Sequence, residues 1–295
     1  MADKKRLILL LKIALSLGAL VYVFSRVGPR QLLHTLADTE AGWLVGALLA
    51  FNLSKIVASV RLNRFFAAIG VRLSEAEALR LYYIGMFYNL FLPGGIGGDG
   101  YKIYLLKRHR EADTAPLIAA TLLDRISGLA SLLFFAGVLF LFSRYAALYP
   151  WARPLDWAGL VLVYPVTWLL YRRGFRPVFR TTAWLGAVTQ LLQLLSAWML
   201  ALALGLQGHL IEVLTLFLLS SVAAVLPLSV GGVGIREFVF LYGFQLLGLD
   251  TARGVAFSVL FFLITAVSSF TGLFLRHGLD EERDVKKRRS SVSKR

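Results

Sequence analysis

Apolar runs long enough to cross a bilayer recur along this chain from one end to the other, and no other feature limits its fold so strongly. A hydrocarbon core about 30 Å thick takes roughly 20 apolar residues of helix, because lipid offers no partner to a backbone N–H or C=O. The runs fall at 7–24, 42–60, 79–92, 114–142, 157–171, 183–206, 210–227, 235–248 and 254–275. Hydrophobic residues make up 58% of the 295, against roughly 45–50% in an ordinary soluble domain. The expected fold class is therefore an all-α polytopic membrane protein. Lys4, Lys5 and Arg6 precede Leu7–Phe24 as they would a signal peptide. No small-residue cleavage site follows, so this run reads as an uncleaved first span.

The net charge of +15 invites a nucleic-acid reading, which the placement of the charge opposes. Lys and Arg sit in short clusters beside the apolar runs, where they orient spans and meet anionic headgroups. No nucleic-acid partner is expected. Cysteine is absent, which excludes disulfides, thiolate metal sites and Cys nucleophiles. By the bias of basic loops to the cytoplasm, the N-terminus, the loop Arg61–Arg80, the stretch Lys102–Arg110 and the stretch Arg172–Arg180 all belong inside. The basic tail 276–295 also belongs inside, where it reads as disordered. These assignments place the protein in a cytoplasmic membrane, multi-pass, with both termini cytoplasmic.

Both flanks of run 79–92 carry inside charges, so that run should enter, turn at Pro93–Gly100 and return. Runs 210–227 and 235–248 should do the same from the outside, turning at Pro227–Gly234. Six crossings and two re-entrant hairpins then account for the charges. The two turns also match in sequence. Leu92-Pro93-Gly94-Gly95-Ile96-Gly97-Gly98-Asp99-Gly100-Tyr101-Lys102 lies on Leu226-Pro227-Leu228-Ser229-Val230-Gly231-Gly232-Val233-Gly234-Ile235-Arg236, and the same shift lays run 114–142 on 248–276. Residues 1–275 thus form a single transmembrane domain of two units, about 7–142 and 157–275. An odd number of crossings per unit inverts the second unit in the membrane, as in many secondary transporters.

Proline ends each apolar arm, and glycines allow close backbone approach. A helix starting after them offers free N–H groups at its positive end. Gly97, Gly98, Asp99 and Lys102 in one turn, with Gly231, Gly232, Arg236 and Glu237 in the other, are the candidate binding residues. Their competing reading is a tight packing turn whose cation snorkels to the interface. Gly95 to Gly100 also spells G-x-G-x-x-G, but it follows an apolar helix rather than a strand, so a dinucleotide site is rejected. Asp124 and Arg125 lie deep in run 114–142, where a charge is costly. They either line a path or pair between helices. Lys12 and Lys55 read as snorkelling residues; Asn89, Gln190 and Gln193 read equally as hydrogen-bond glue or as ligands. His34, His109, His209 and His277 show no ligand spacing and no nucleophile elbow appears, so no enzyme activity, metal or cofactor is expected.

The run Asn89–Pro93, Gly97-Gly98-Asp99, Lys102, Asp124-Arg125 and the later Pro227…Gly231-Gly232-Val233-Gly234-Ile235-Arg236-Glu237 resembles the lysylphosphatidylglycerol synthase transmembrane-region family. The likeness spans roughly Leu7 to Leu275. Lys102 stands where that family more often has Arg, which keeps the charge and loses the bidentate fork. The resemblance implies a flippase-like role: moving an anionic phospholipid or a polyprenyl-phosphate-linked lipid between leaflets. The full synthases carry a soluble aminoacyl-transfer domain where this chain has a short basic tail, so aminoacyl transfer is not expected. Two alternatives remain: a non-transporting membrane partner that presents lipid to a glycosyl- or aminoacyltransferase, and a small-anion transporter.

Overall fold

The computed structural model describes residues 17–91, 97–110, 112–171, 174–225, 232 and 234–292, with residue 91 and residues 276–292 as backbone only. Every described element is helical. In chain order these are α1 (described over Leu17–Arg26), α2 (Pro29–Ala37), α3 (Ala41–Ala68), α4 (Glu75–Phe91), α5 (Gly97–Arg110) and α6 (Thr114–Phe142). There follow α7 (Arg144–Leu148), α8 (Ala152–Leu170), α9 (Phe179–Ala203), α10 (Leu210–Val225), α11 (Ile235–Leu246) and α12 (Thr251–Val292).

Five segments are long and apolar enough to span: Ala41–Ala68, Thr114–Phe142, Arg176–Ala203, Gln207–Val225 and Thr251–Leu275. The expected first span lies largely outside the described residues. The run expected at 157–171 is α8, which is not among the five; Arg153 and Asp156 dilute its first turns and Pro165 lies inside it. Run 210–227, read from sequence as a hairpin arm, reaches spanning length once the 3₁₀ turn Gln207–His209 is joined to α10. By contrast α4, α5 and α11 have 17, 14 and 12 residues. At 1.5 Å per residue they reach only about 18–26 Å, short of a hydrocarbon core. The backbone of α12 is described to Val292, through a stretch rich in the helix formers Glu, Lys and Arg.

Contacts at the loops sort the helix ends. At the basic end, Arg64 of α3 pairs with Glu75 at 3.1 Å, Arg110 of α5 pairs with Glu77, and Phe65 packs on Phe175 before α9. The chain therefore enters α4 and leaves α5 on the same side. At the other end the Glu40 N–H donates to the Ala203 carbonyl, and Arg253 at the start of α12 donates to the Gly205 carbonyl ahead of α10. So α10 begins where α11 finishes, opposite the α4–α5 pair.

The centre is α3 against α9, with Ala47, Ala50, Ala197 and Ala201 buried and the Ser196 hydroxyl donating to the Ala47 carbonyl at 2.7 Å. On its flanks α4 packs against α12, and α10 against α6. Small residues set these distances, since lipid supplies no hydrophobic drive between helices and close contact must. A Cβ on Gly98 would sit 1.9 Å from the Gly85 carbonyl oxygen, and one on Gly272 would sit 2.2 Å from the Tyr83 carbonyl oxygen. Leu49, Val161, Leu169, Leu263, Val267 and Phe274 turn outward, as a lipid-facing belt requires.

Helix α4 starts at a reciprocal cap: Glu77 accepts from the Ser74 N–H at 2.8 Å, and the Ser74 hydroxyl accepts from the Glu77 N–H. The Ser74 N–H, with help from Arg110, holds the Glu77 carboxyl below the usual glutamate range. A group depressed in the folded state adds stability above its unfolded value and loses it as pH falls through the folded one. Glu77→Gln should therefore lower the melting temperature in detergent near neutral pH, with the gap to wild type closing in acid; an equal gap at both would count against the cap. Gly98→Ala should destabilise by about 1–3 kcal/mol through overpacking. Gly100→Ala, with no atom within 4 Å, should be neutral or stabilise by about 0.5–1 kcal/mol. Thermal unfolding of the pair separates close packing from mere loss of a glycine.

Candidate functional site

A cavity of about 370 Å³ lies among α3, α4, α6, α9, α10, α11 and α12. It sits at the small end of the roughly 300–1,000 Å³ typical of ligand pockets. Helical spacing places its wall residues. Phe51, Lys55, Ala58 and Arg61 recur every three or four positions along one stripe of α3, and Gly186, Thr189, Gln190 and Gln193 do so on α9. Arg125, Gly128, Leu129 and Leu132 come from α6, Ser221 and Val225 from α10, Arg236 from α11, Phe261 and Thr265 from α12, and Tyr82 from α4. Four cations line this space, and among the described residues no carboxylate does.

Asp124 and Arg125, side by side on α6, point about 100° apart and serve different neighbours. Asp124 accepts from the Arg61 Nε at 2.8 Å, both side chains about nine-tenths buried. That bond leaves the outer amines of Arg61 turned toward Gly128 and Gly186, whose missing side chains make room for the guanidinium between α6 and α9. Arg125 reaches the other way and pairs through its Nε with Asp99 on α5. Asp99 also holds the Lys102 Nζ at 2.6 Å, both side chains buried.

Lys102 does not line the cavity. Its ammonium is bound to Asp99 and lies 5.5 Å from the ring centroid of Tyr82, one side chain behind the wall, while its stem fills the space above Gly85. Gly97 opens α5. The Gly98 N–H donates to the Asn89 side chain at 2.8 Å, and Gly98 serves the close contact with α4.

In the second turn Gly231 lies outside the described residues, as do Pro93 and Pro227. Gly232 and Gly234 take positive φ, +81° and +85°, leading into α11. Glu237 is fully occupied at the helix start: one oxygen accepts from the Gly234 N–H at 2.7 Å, the other from the Ser258 hydroxyl at 2.9 Å. It forms no ion pair with Arg236, which turns into the cavity with its guanidinium 5.8 Å from the Phe261 ring centroid.

Two cations on this wall thus lack a counter-charge among the described residues. The Arg236 Nε is buried without an acceptor, as is the Gln190 Nε2. The Lys55 ammonium sits 4.2 Å from the Phe51 ring centroid and feels repulsion from Arg236 and Arg61. A cation–π contact returns about 2 kcal/mol at best, less than the several kcal/mol lost by taking an ion from water. Sequence reading missed Lys55 and Arg61, taken as a snorkelling residue and a topology charge. Their shared stripe with Phe51 and Ala58 was the available signal, but spacing alone does not say that this stripe faces inward. Among the described residues no cluster of His, Cys, Asp or Glu is placed to hold a metal.

The family model for the lysylphosphatidylglycerol synthase TM region matches residues 9–196 and 184–272. The UPF0104 membrane protein of Pyrococcus horikoshii is 23% identical over 142 residues, covering 48% of this chain and 41% of that protein. The chain thus spans under half the length of that relative. By the first match, the chain belongs to the lysylphosphatidylglycerol synthase TM region family of membrane proteins.

The two kinds of cation should respond oppositely to mutation. Asp124→Asn, which strands Arg61 in the core, should destabilise by about 3–5 kcal/mol. Lys55→Gln removes an unpaired buried charge and should raise the melting temperature of the ligand-free protein. A drop for Lys55→Gln comparable to that of Asp124→Asn would mean that Lys55 is a structural partner.

Proposed function

We propose that, as a member of this family, the chain is a flippase-like transporter that takes the anionic headgroup of a lipid into the cation-lined cavity while the tails stay in the bilayer. The observation that carries this reading is the wall itself: Lys55, Arg61, Arg125 and Arg236 converge on a space without a carboxylate, inside a bundle whose outer face is apolar. The cavity's size favours the same division, since about 370 Å³ admits a headgroup but not acyl chains. No bond-making step is assigned to it; the wall offers donors and charge.

The inverted repeat belongs to the same proposal. α3 to α6 and α9 to α12 follow one order: long helix, arm, return arm, long helix. The partners exchange as a two-fold relation demands, α4 lying on α12 and α10 on α6, with α3 and α9 facing each other across the centre. Arg236 and Lys102, equivalent in the repeat, now differ in role, because Asp99 neutralises Lys102 and Val233 stands in the matching place of the second unit. Basic loops gathered at one end support an inner-membrane orientation with both termini cytoplasmic.

A headgroup-labelled anionic lipid assayed for leaflet exchange in proteoliposomes tests the transport reading. Wild-type protein should speed exchange over protein-free vesicles, and Arg236→Ala and Lys55→Ala should each slow it about tenfold or more, as loss of a buried charge contact implies. Equal rates for wild type and both variants would remove the mechanism. Tight lipid binding without exchange would favour a lipid-presenting partner instead, and uptake of a soluble anion without lipid would favour a small-anion carrier.

A further inference from the structure

We infer that the cavity selects a headgroup ending in a phosphate monoester or diphosphate, with at least two negative charges, over a singly charged phosphodiester. This rests on the lipid reading above and narrows it.

The charge around the cavity is uneven. Arg61 and Asp124 cancel. Asp99 is one charge shared between Lys102 and Arg125, so that triad keeps one positive charge, and Arg125 is its member on the wall. Lys55 and Arg236 each add one with no counter-charge among the described residues. Glu237 attracts Arg236 from the start of α11 while spending both oxygens on Gly234 and Ser258. Even with Glu237 counted in full against Arg236, Lys55 and the triad leave a positive excess over the space. A phosphodiester brings one negative charge and would leave a buried cation uncompensated, which a low-dielectric site penalises heavily. A terminal phosphate brings about −1.5 to −2 near neutral pH, and a diphosphate brings more.

The donors fit that charge. A terminal phosphate presents three strong acceptor oxygens, whereas a diester has only two that are unesterified. Facing the space are the Lys55 ammonium and the outer amines of Arg61 from α3, the Arg125 guanidinium from α6, Arg236 from α11, and Gln190 from α9. Two of these, the Arg236 Nε and the Gln190 Nε2, are buried with no acceptor among the described residues. Donors thus arrive from four helices, and no wall carboxylate competes for them. Such an array encloses an end group from several sides. A phosphate esterified on both sides would push its second substituent into the cation cluster.

Phosphatidic acid and phosphatidylmethanol with identical acyl chains differ by one methyl and one ionisable proton, which makes them the probes. Binding to the full chain in neutral-lipid nanodiscs at about pH 7, where the monoester carries about −1.5 to −2, should favour phosphatidic acid by about tenfold or more. Lys55→Gln and Arg236→Gln should abolish that preference, and Lys55→Arg and Arg236→Lys should keep it. None of these side chains has an ion-pair partner among the described residues, so folding should survive; melting curves of each variant verify it. Equal binding of the two lipids would overturn the charge selection and leave the lipid reading standing. Inorganic pyrophosphate bound tightly while neither lipid binds would support the charge selection and remove the lipid reading. Binding of none of the three would overturn both.

Discussion

The Arg61–Asp124 pair ties α3 to α6 at the level of the cavity, and the other charged contacts of the core are arranged around it. Asp124 takes the Nε of Arg61 and thereby turns its outer amines toward Gly128 and Gly186. The next residue, Arg125, turns the opposite way to Asp99, which holds Lys102. Two neighbouring residues on one helix therefore clamp α3 and α5 simultaneously. A helix turns about 100° per residue, so adjacent positions are well suited to bind different neighbours. Removing either acid would leave a buried cation alone, the most damaging change such a core admits.

That clamp depends on helices brought unusually close. Gly98 lets α5 meet the backbone of α4 at Gly85, Gly85 makes room for the Lys102 stem, and Gly272 lets α12 meet the backbone of α4 at Tyr83. In lipid this contact replaces the hydrophobic drive of a soluble core. Beside these contacts α4, α5 and α11 are short, at 17, 14 and 12 residues. The second turn is held by Glu237, whose carboxylate caps α11 and binds Ser258 of α12. Arg236, next to it, is thereby aimed at the cavity with its charge undiminished by any ion pair.

Much of this fold was legible beforehand. The apolar runs predicted α6 and α9 to within a few residues and the starts of α3 and α12, whose helices run on to Ala68 and Val292, and the basic clusters predicted which loops meet at one end, as the Arg64–Glu75 and Arg110–Glu77 contacts bear out. The candidate site was legible only in part. Asp124 and Arg125 were named because a charge inside an apolar run stands out, and Arg236 because it matches Lys102 in the repeated turn. Lys55 and Arg61 were passed over because each lies near a run's end, where snorkelling or topology accounts for a cation equally well. Lys102 was weighted too heavily as a wall residue: the structure places it behind Tyr82, held by Asp99 three positions earlier on its own helix.

The sequence by itself determined that this is a helical membrane protein and which apolar runs form its long helices. Hydropathy and charge are properties of each residue alone, and lipid enforces them without regard to neighbours. The tertiary structure decided which of the chain's cations are spent and which are left over. Pairing depends on which faces of different helices meet, and a single helix's period does not record its partners. Arg61 and Lys102 met carboxylates; Lys55 and Arg236 met none among the described residues and line the cavity.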